Sequence, residues 1–214
     1  RKYTLDLYKE LEKKINHSAG LRLNGALSIA ENKGRWQELK RQATTAQLYN
    51  VDVKILSKNQ IKNDYPIINT EDVLGGILMP GDGAADPSGV THMLAKAAKM
   101  EGAKIFEKSP VEKILTKNGR ISGVQVSGQI INCEYIVLAS GMWSRQIAEK
   151  VGVSVPLYPA EHFYIITEPI ENLSKTLPVV RDFDNSTYIK EDAGKILVGI
   201  FEGKSIPAFN KTSI

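Results

Sequence analysis

The run Leu157-Tyr158-Pro159-Ala160-Glu161-His162-Phe163-Tyr164 is the stretch of this 214-residue sequence best suited to chemistry, because an imidazole and a phenol recur two residues apart. On an extended strand that spacing puts His162 and Tyr164 on one face. Such a face can orient an amine or a carboxylate and hold a proton near neutral pH. A solvent-facing edge strand would carry the same residues. The two remaining histidines, His17 and His92, sit near helix ends and read as surface groups, and no histidine stands at metal-ligand spacing to another. The run Gly81-Asp82-Gly83-Ala84-Ala85-Asp86 holds two of the three glycines of a GxGxxG fingerprint and precedes a helix. Its third position is Asp86, whose carboxylate would repel a pyrophosphate at the helix amino terminus. The loop therefore reads as a tight turn and a helix cap. Without a P-loop, HExxH or GxSxG, the sequence gives no support to hydrolytic or metal-dependent chemistry.

Composition narrows the setting. The 28 Lys and Arg exceed the 24 Asp and Glu by only four, and the basic residues are scattered. That pattern is a solvated surface and gives no sign of nucleic-acid binding. Cys133 is the sole cysteine, which excludes an intrachain disulfide and a CxxC metal cluster and fits a reducing cytoplasm. The longest apolar stretch, Tyr135 to Ala139, is far too short to span a bilayer, so a soluble protein without membrane partners is expected.

The elements that must position these groups follow from periodicity. Tyr3, Leu7, Leu11 and Ile15 predict a helix from the first residues, and Trp36, Leu39, Ala43 and Ala46 predict another over Arg35 to Tyr49. Leu21 to Ala30 reads as extended. Glycines and prolines from Pro66 to Gly83 predict a loop-rich stretch, closed by Asp86-Pro87 as the cap and first position of a helix that ends at Gly102. A short strand over Ala103 to Phe106 follows. Then come strands over Val111 to Thr116, Ile121 to Val126 and Ile130 to Cys133, the first two joined by an Asn118-Gly119 turn. Tyr135 to Ala139 is uniformly apolar, as a strand covered on both faces of a parallel sheet would be. A helix through Ile147 and Ala148 stops at Gly152. Beyond it, Val153 to Thr167, Pro178 to Arg181, Thr187 to Lys190 and Ile196 to Phe201 predict an antiparallel layer that takes Leu21 to Ala30 as a partner, with a trailing tail over Gly203 to Ile214. Parallel strands need a neighbouring βαβ unit, and the pattern supplies none, so the sequence reads as part of a longer protein.

Four segments, MPGDGAADP at Met79 to Pro87, SPVEKI at Ser109 to Ile114, YIVLASGMWS at Tyr135 to Ser144 and VPLYPAEHFYIITEP at Val155 to Pro169, together resemble one family. It is the glycine-oxidase and D-amino-acid-oxidase-like flavoproteins, and within it the sarcosine and dimethylglycine dehydrogenase branch. RDFDNSTYIKEDAGKILVGIFE at Arg181 to Glu202 extends the resemblance over nearly the whole sequence. It implies a mixed α/β fold: a partial FAD-binding Rossmann-like domain with a β-meander, over residues 1–20 and 80–152, and an antiparallel substrate-domain sheet over 21–79 and 153–214. It implies FAD as cofactor, with Val111 meeting the adenine through its backbone and the turn Ser140, Gly141, Met142 and Trp143 passing the pyrophosphate or flavin. His162, Tyr164 and Tyr188 would face the isoalloxazine, His162 positioning the substrate or tuning its amine and a tyrosine holding its carboxylate.

The implied reaction is oxidative demethylation of a methylated glycine by hydride transfer to the flavin, with oxygen or an electron-transfer flavoprotein as acceptor. The family's amino-terminal GxGxxG unit has no counterpart in these residues, so this polypeptide alone is expected to bind FAD weakly or not at all and to be inactive unaided. Exposed sheet at that unit's position offers a route to homo-oligomers. Two other readings stay open: another amino-acid or 2-hydroxy-acid oxidase of the same fold, and a non-catalytic interaction module.

Overall fold

A computed structural model describes residues 2–208. The expected tail is followed only as far as residue 208, and the rest of it lies outside the described residues. The chain divides into two compact units, Arg1–Gly102 with His162–Lys204, and Ala103–Glu161 with Ser205–Ile214.

The first unit is built on a seven-stranded mixed sheet flanked by helices. In chain order its elements are α1 (Lys2–Ile15), β1 (Ala26–Ala30), α2 (Lys33–Leu48), β2 (Lys54–Ser57), α3 (Lys58–Asp64), β3 (Gly75–Met79) and α4 (Pro87–Met100). After the excursion into the second unit come β7 (Phe163–Ile166), β8 (Val179–Asp182), β9 (Thr187–Asp192) and β10 (Lys195–Ile200). The strand order is β2-β3-β1-β8-β9-β10-β7. Alternation along β1 and β3 sends their residues to two cores. Leu27, Ile29, Leu56 and Val180 meet Ile61 of α3, while Ala30 and Ile77 meet Leu39 and Ala43 of α2. A third cluster joins Ile15 of α1 to Met93 of α4. Burying one leucine-sized side chain contributes about 1.5–3 kcal/mol, so these three clusters are what hold this unit together.

Local signals fix the helix starts. Asp86 accepts hydrogen bonds from the Ser88 and Gly89 amides and Pro87 occupies the first turn of α4, as expected. Asn32 caps α2, and Ser57 with Gln60 forms a capping box on α3. β2 and the capping box fall where no element was expected, while β3 lies in the stretch expected to be loop-rich. The glycines there serve a different purpose, since Gly75 and Gly76 are buried within β3.

Leu21 to Ala30 does pair with the later strands, but β1 runs parallel to β8, so the sheet is mixed where an antiparallel one was expected. Arg22, ahead of β1, ties this region to β9: its guanidinium binds the carboxylate of buried Glu191 at 2.6 Å, and its backbone bridges Ala84.

The second unit holds the expected meander, β4 (Val111–Lys117), β5 (Arg120–Val126) and β6 (Gln129–Asn132). Asn118 and Gly119, both at positive φ, make the first turn. A 3-10 turn (Gly141–Trp143) leads into α5 (Ser144–Glu149). Two expected strands are absent. Ala103 to Phe106 and Tyr135 to Ala139 have no ladder, and Tyr135 and Val137 are 85% and 89% exposed. A uniformly apolar strand needs cover on both faces and a hydrogen-bonding neighbour, and among the described residues none lies beside either segment. The expected strand over Val153 to Thr167 likewise shrinks to β7, with one isolated bridge at Ala160.

Candidate functional site

Register decides which side chains share a face of the first unit's sheet. Tyr164 on β7 stands opposite Gly199 on β10, Gly199 opposite Tyr188 on β9, and Tyr188 opposite Arg181 on β8. Directly opposed residues in antiparallel pairs project to the same side. Phe201, two residues beyond Gly199, and His162, two before Tyr164, extend that face.

Gly199 makes the arrangement possible. A Cβ at that position would overlap the Tyr188 ring, which leans across the space a side chain would fill. The ring thereby reaches His162, whose Nε2 lies 3.3 Å from the Tyr188 hydroxyl. His162 also stacks on Phe201 with centroids 4.7 Å apart, an aromatic contact of a kind that contributes about 0.5–1.5 kcal/mol beyond burial. Its other nitrogen, Nδ1, is 3.6 Å from Glu202 Oε2. The Glu202 carboxyl is held below its ordinary value of 4.5, by backbone hydrogen bonds first and by His162 in addition.

A groove of about 500 Å³ runs along this face, lined by Val179, Arg181, Phe183, Tyr188 and Phe201 among others. Arg181 is its one cation, with a terminal nitrogen 4.0 Å from Asp82. Tyr164 lines a second groove beside Ile166, Lys190 and Leu197. Thus His162 and Tyr188 are brought into contact, while Tyr164 shares their face across Gly199. Arg181, Phe201 and Glu202 were missed from sequence because a cross-strand register has no local signature. The spacing of Phe201 and Glu202 from Gly199 was visible but had no meaning before β10 and β7 were paired.

The other group lies in the second unit. Val111 opens β4 opposite Val126. Ser140 precedes the 3-10 turn, accepting the Trp143 amide on its carbonyl and meeting Ser144 Oγ at 3.1 Å through its own hydroxyl. Gly141 has φ +54° with open space beside its Cα, Met142 is partly exposed and Trp143 is 57% exposed. The Gly81–Asp86 loop, by contrast, is engaged in structure: the Ala84 and Arg22 backbones exchange hydrogen bonds at 2.8 and 2.9 Å, and the Asp86 carboxylate caps α4. Among the described residues no group of acidic, histidine and cysteine side chains forms a metal site, and no helix is long and apolar enough to cross a membrane.

The chain is similar to several known proteins. The 4-methylaminobutanoate oxidase (formaldehyde-forming) of Paenarthrobacter nicotinovorans is 37% identical over 206 residues, 96% of this chain and 25% of the relative. The mitochondrial sarcosine dehydrogenase of Homo sapiens is 34% identical, covering 92% and 22%. The mitochondrial pyruvate dehydrogenase phosphatase regulatory subunit of Mus musculus is 30% identical, covering 98% and 24%. The chain thus spans about a quarter of the length of these relatives. Among solved structures, L-proline dehydrogenase from P. horikoshii superposes with a TM-score of 0.86 at 27% identity, covering 98% of this chain and 56% of that one. With residues 1–212 matching the family described as FAD dependent oxidoreductase, the chain belongs to the DAO family of FAD-dependent oxidoreductases.

Proposed function

We propose that this chain works within an enzyme that oxidatively demethylates an N-methylated amino acid, of the sarcosine and dimethylglycine class. The observation that carries the reading is the contact of His162 with Tyr188 on a face that also presents Arg181. One end of that face accepts a proton and the other offers a cation, which matches a zwitterion bearing an amine and a carboxylate.

The second unit's residues fit the flavin. Gly141 presents its backbone with nothing beside it, and Trp143 and Val111 expose apolar surface at 57% and 42%. Such a turn suits close approach of a large planar and charged group. Ser140, Gly141, Met142 and Trp143 would hold the pyrophosphate or flavin side and Val111 the adenine. When bound, FAD supplies a two-electron acceptor for the hydride of the N-methyl carbon.

The chain's own residues do the rest. The Arg181 guanidinium pairs with the substrate carboxylate, with Tyr164 or Tyr188 as a neutral donor beside it. The Tyr188 hydroxyl and His162 Nε2 take the ammonium proton, because an amine gives up hydride from its methyl carbon only when its lone pair is free. Phe201 keeps water from the imidazole face. Under this reading residues 1–20 and 80–152 serve the flavin and 21–79 and 153–214 the substrate, a division by role that differs from the division by packing. A single partly buried thiol fits a reducing compartment such as the cytoplasm.

A second reading has one observation in its favour: a relative named as a regulatory subunit is 30% identical. A single experiment separates the two. Full-length protein reconstituted with FAD is mixed anaerobically with sarcosine, dimethylglycine, 4-methylaminobutanoate, a D-amino acid and 2-hydroxyglutarate while the flavin band is followed. Bleaching by the N-methylated amino acids with release of formaldehyde is the expected result. Bleaching by the hydroxy acid alone, or by none, overturns the proposal. Repeating the active reaction in air then distinguishes oxygen from an electron-transfer flavoprotein as acceptor.

A further inference from the structure

We infer that Glu202 is a positioning residue that sets the tautomer of His162, and so makes its Nε2 the proton acceptor for Tyr188. The inference rests on the amine-oxidising reading above and extends it to a residue that acts through His162.

The geometry is a chain of three polar groups on the β7–β10 edge. Glu202 Oε1 accepts the Phe163 amide at 3.2 Å, which fixes the carboxylate at the start of β7. Its other oxygen, Oε2, is 3.6 Å from His162 Nδ1, long for a hydrogen bond but of a kind that tightens when a substrate is bound. On the far side of the ring, Nε2 is 3.3 Å from the Tyr188 hydroxyl. The ring lies against Phe201 and beside Tyr188, at centroid distances of 4.7 and 5.9 Å. Turning the ring over would put carbon where Nδ1 and Nε2 now face Glu202 and Tyr188, so the two polar contacts fix its orientation.

Which nitrogen of a neutral imidazole carries the proton is set by the hydrogen bond the other one makes. A carboxylate can only accept, whereas a phenol can also donate. The proton consequently sits on Nδ1 facing Glu202, and the Nε2 lone pair faces Tyr188. The titratable groups that meet the ring are Tyr188 on β9, at Nε2, and Glu202 after β10, at Nδ1. Glu202 is the one acidic group in contact with Nδ1.

The step balances within these groups. A proton leaves the substrate ammonium for the Tyr188 oxygen as the Tyr188 proton passes to Nε2. One N–H bond of the substrate breaks, one Nε2–H bond forms, and the amine keeps its electron pair. The imidazolium so formed lies against the Glu202 carboxylate, which favours it by charge.

The test uses the full-length protein with FAD, labelled with 15N-histidine, and His162→Gln identifies the resonance pair. Wild type is expected to show the Nδ1–H tautomer. Glu202→Gln keeps the size and the acceptor for the Phe163 amide but can offer its NH2 to Nδ1, so the Nδ1–H signature is lost. Anaerobic flavin reduction in that variant slows by about tenfold to hundredfold, the range of a displaced acid-base group, with substrate affinity changed by less than about twofold. Glu202→Asp, which retains the charge, recovers the tautomer and part of the rate. An unchanged tautomer in Glu202→Gln overturns the inference, whatever the substrate proves to be. Failure of every amine to bleach wild-type flavin would instead refute the amine-oxidising reading and leave the tautomer result to decide the role of Glu202.

Discussion

The two units of this chain carry apolar residues to opposite ends. In the first, Leu39, Ile61 and Met93 are fully buried and each belongs to a cluster closed by its own strands and helices. In the second, Phe106, Tyr135, Val137 and Ile130 are mostly exposed, and Ala103 to Phe106 and Tyr135 to Ala139 form no strand. The difference lies in the neighbours. A strand's hydrophobicity declares that it should be covered, but only a neighbouring strand and helix can cover it. The first unit brings its own everywhere but at its edge strand β7, whose four residues stay exposed, whereas the apolar segments of the second find none among the described residues.

Substitution gives the largest expected contrast. Leu39→Ala, which opens a cavity in the α2 cluster, is expected to cost about 3 kcal/mol of unfolding free energy, whereas Val137→Ala changes it by less than about 0.5 kcal/mol. Urea unfolding of this 214-residue chain reads both. A comparable loss from Val137→Ala would mean that the 135–139 segment is packed.

Gly199→Ala moves the contrast to the site. The new methyl must displace the Tyr188 ring, which can swing away on its own side chain, so stability should change little while the His162 contact is broken. Flavin reduction in the full-length enzyme should fall by about tenfold, equivalent to about 1.4 kcal/mol. A loss of stability without loss of rate would make Gly199 a packing residue alone.

The smallest effect concerns acid. Burial raises the Asp184 carboxyl, but the Glu31 amide and the Arg35 guanidinium outweigh it and hold it below 3.8. A carboxyl depressed on folding adds stability above its ordinary value and loses it as the pH falls through the folded value. Asp184→Asn, which keeps the Glu31 hydrogen bond, should therefore lower stability at neutral pH by less than about 1 kcal/mol. The gap from wild type closes as acid titrates the native carboxyl below about pH 4. A gap that persisted at low pH would assign the effect to packing.

Local signals were legible in the sequence and cross-strand ones were not. Asp86-Pro87, Asn118-Gly119 and the apolar spacing of α2 each act within a few residues, and each element formed where it was read. β3 was missed because Gly75 and Gly76 resemble loop punctuation until Trp36 and Leu27 pack where their side chains would be, and β2 because four residues with a single buried side chain carry too short a pattern to read. His162, Tyr164 and Tyr188 could be named from their types and a family resemblance. Arg181 and Glu202 could not, because their places follow from the pairing of β8 with β9 and β10 with β7.

The central claim is that the His162–Tyr188 face receives the substrate amine, and anaerobic single-turnover reduction of the FAD-loaded full-length enzyme tests it most directly. Tyr188→Phe removes one oxygen and leaves the ring over Gly199. The account predicts flavin reduction slowed by about tenfold to hundredfold at saturating substrate, with FAD binding unchanged. Reduction at the wild-type rate would contradict it.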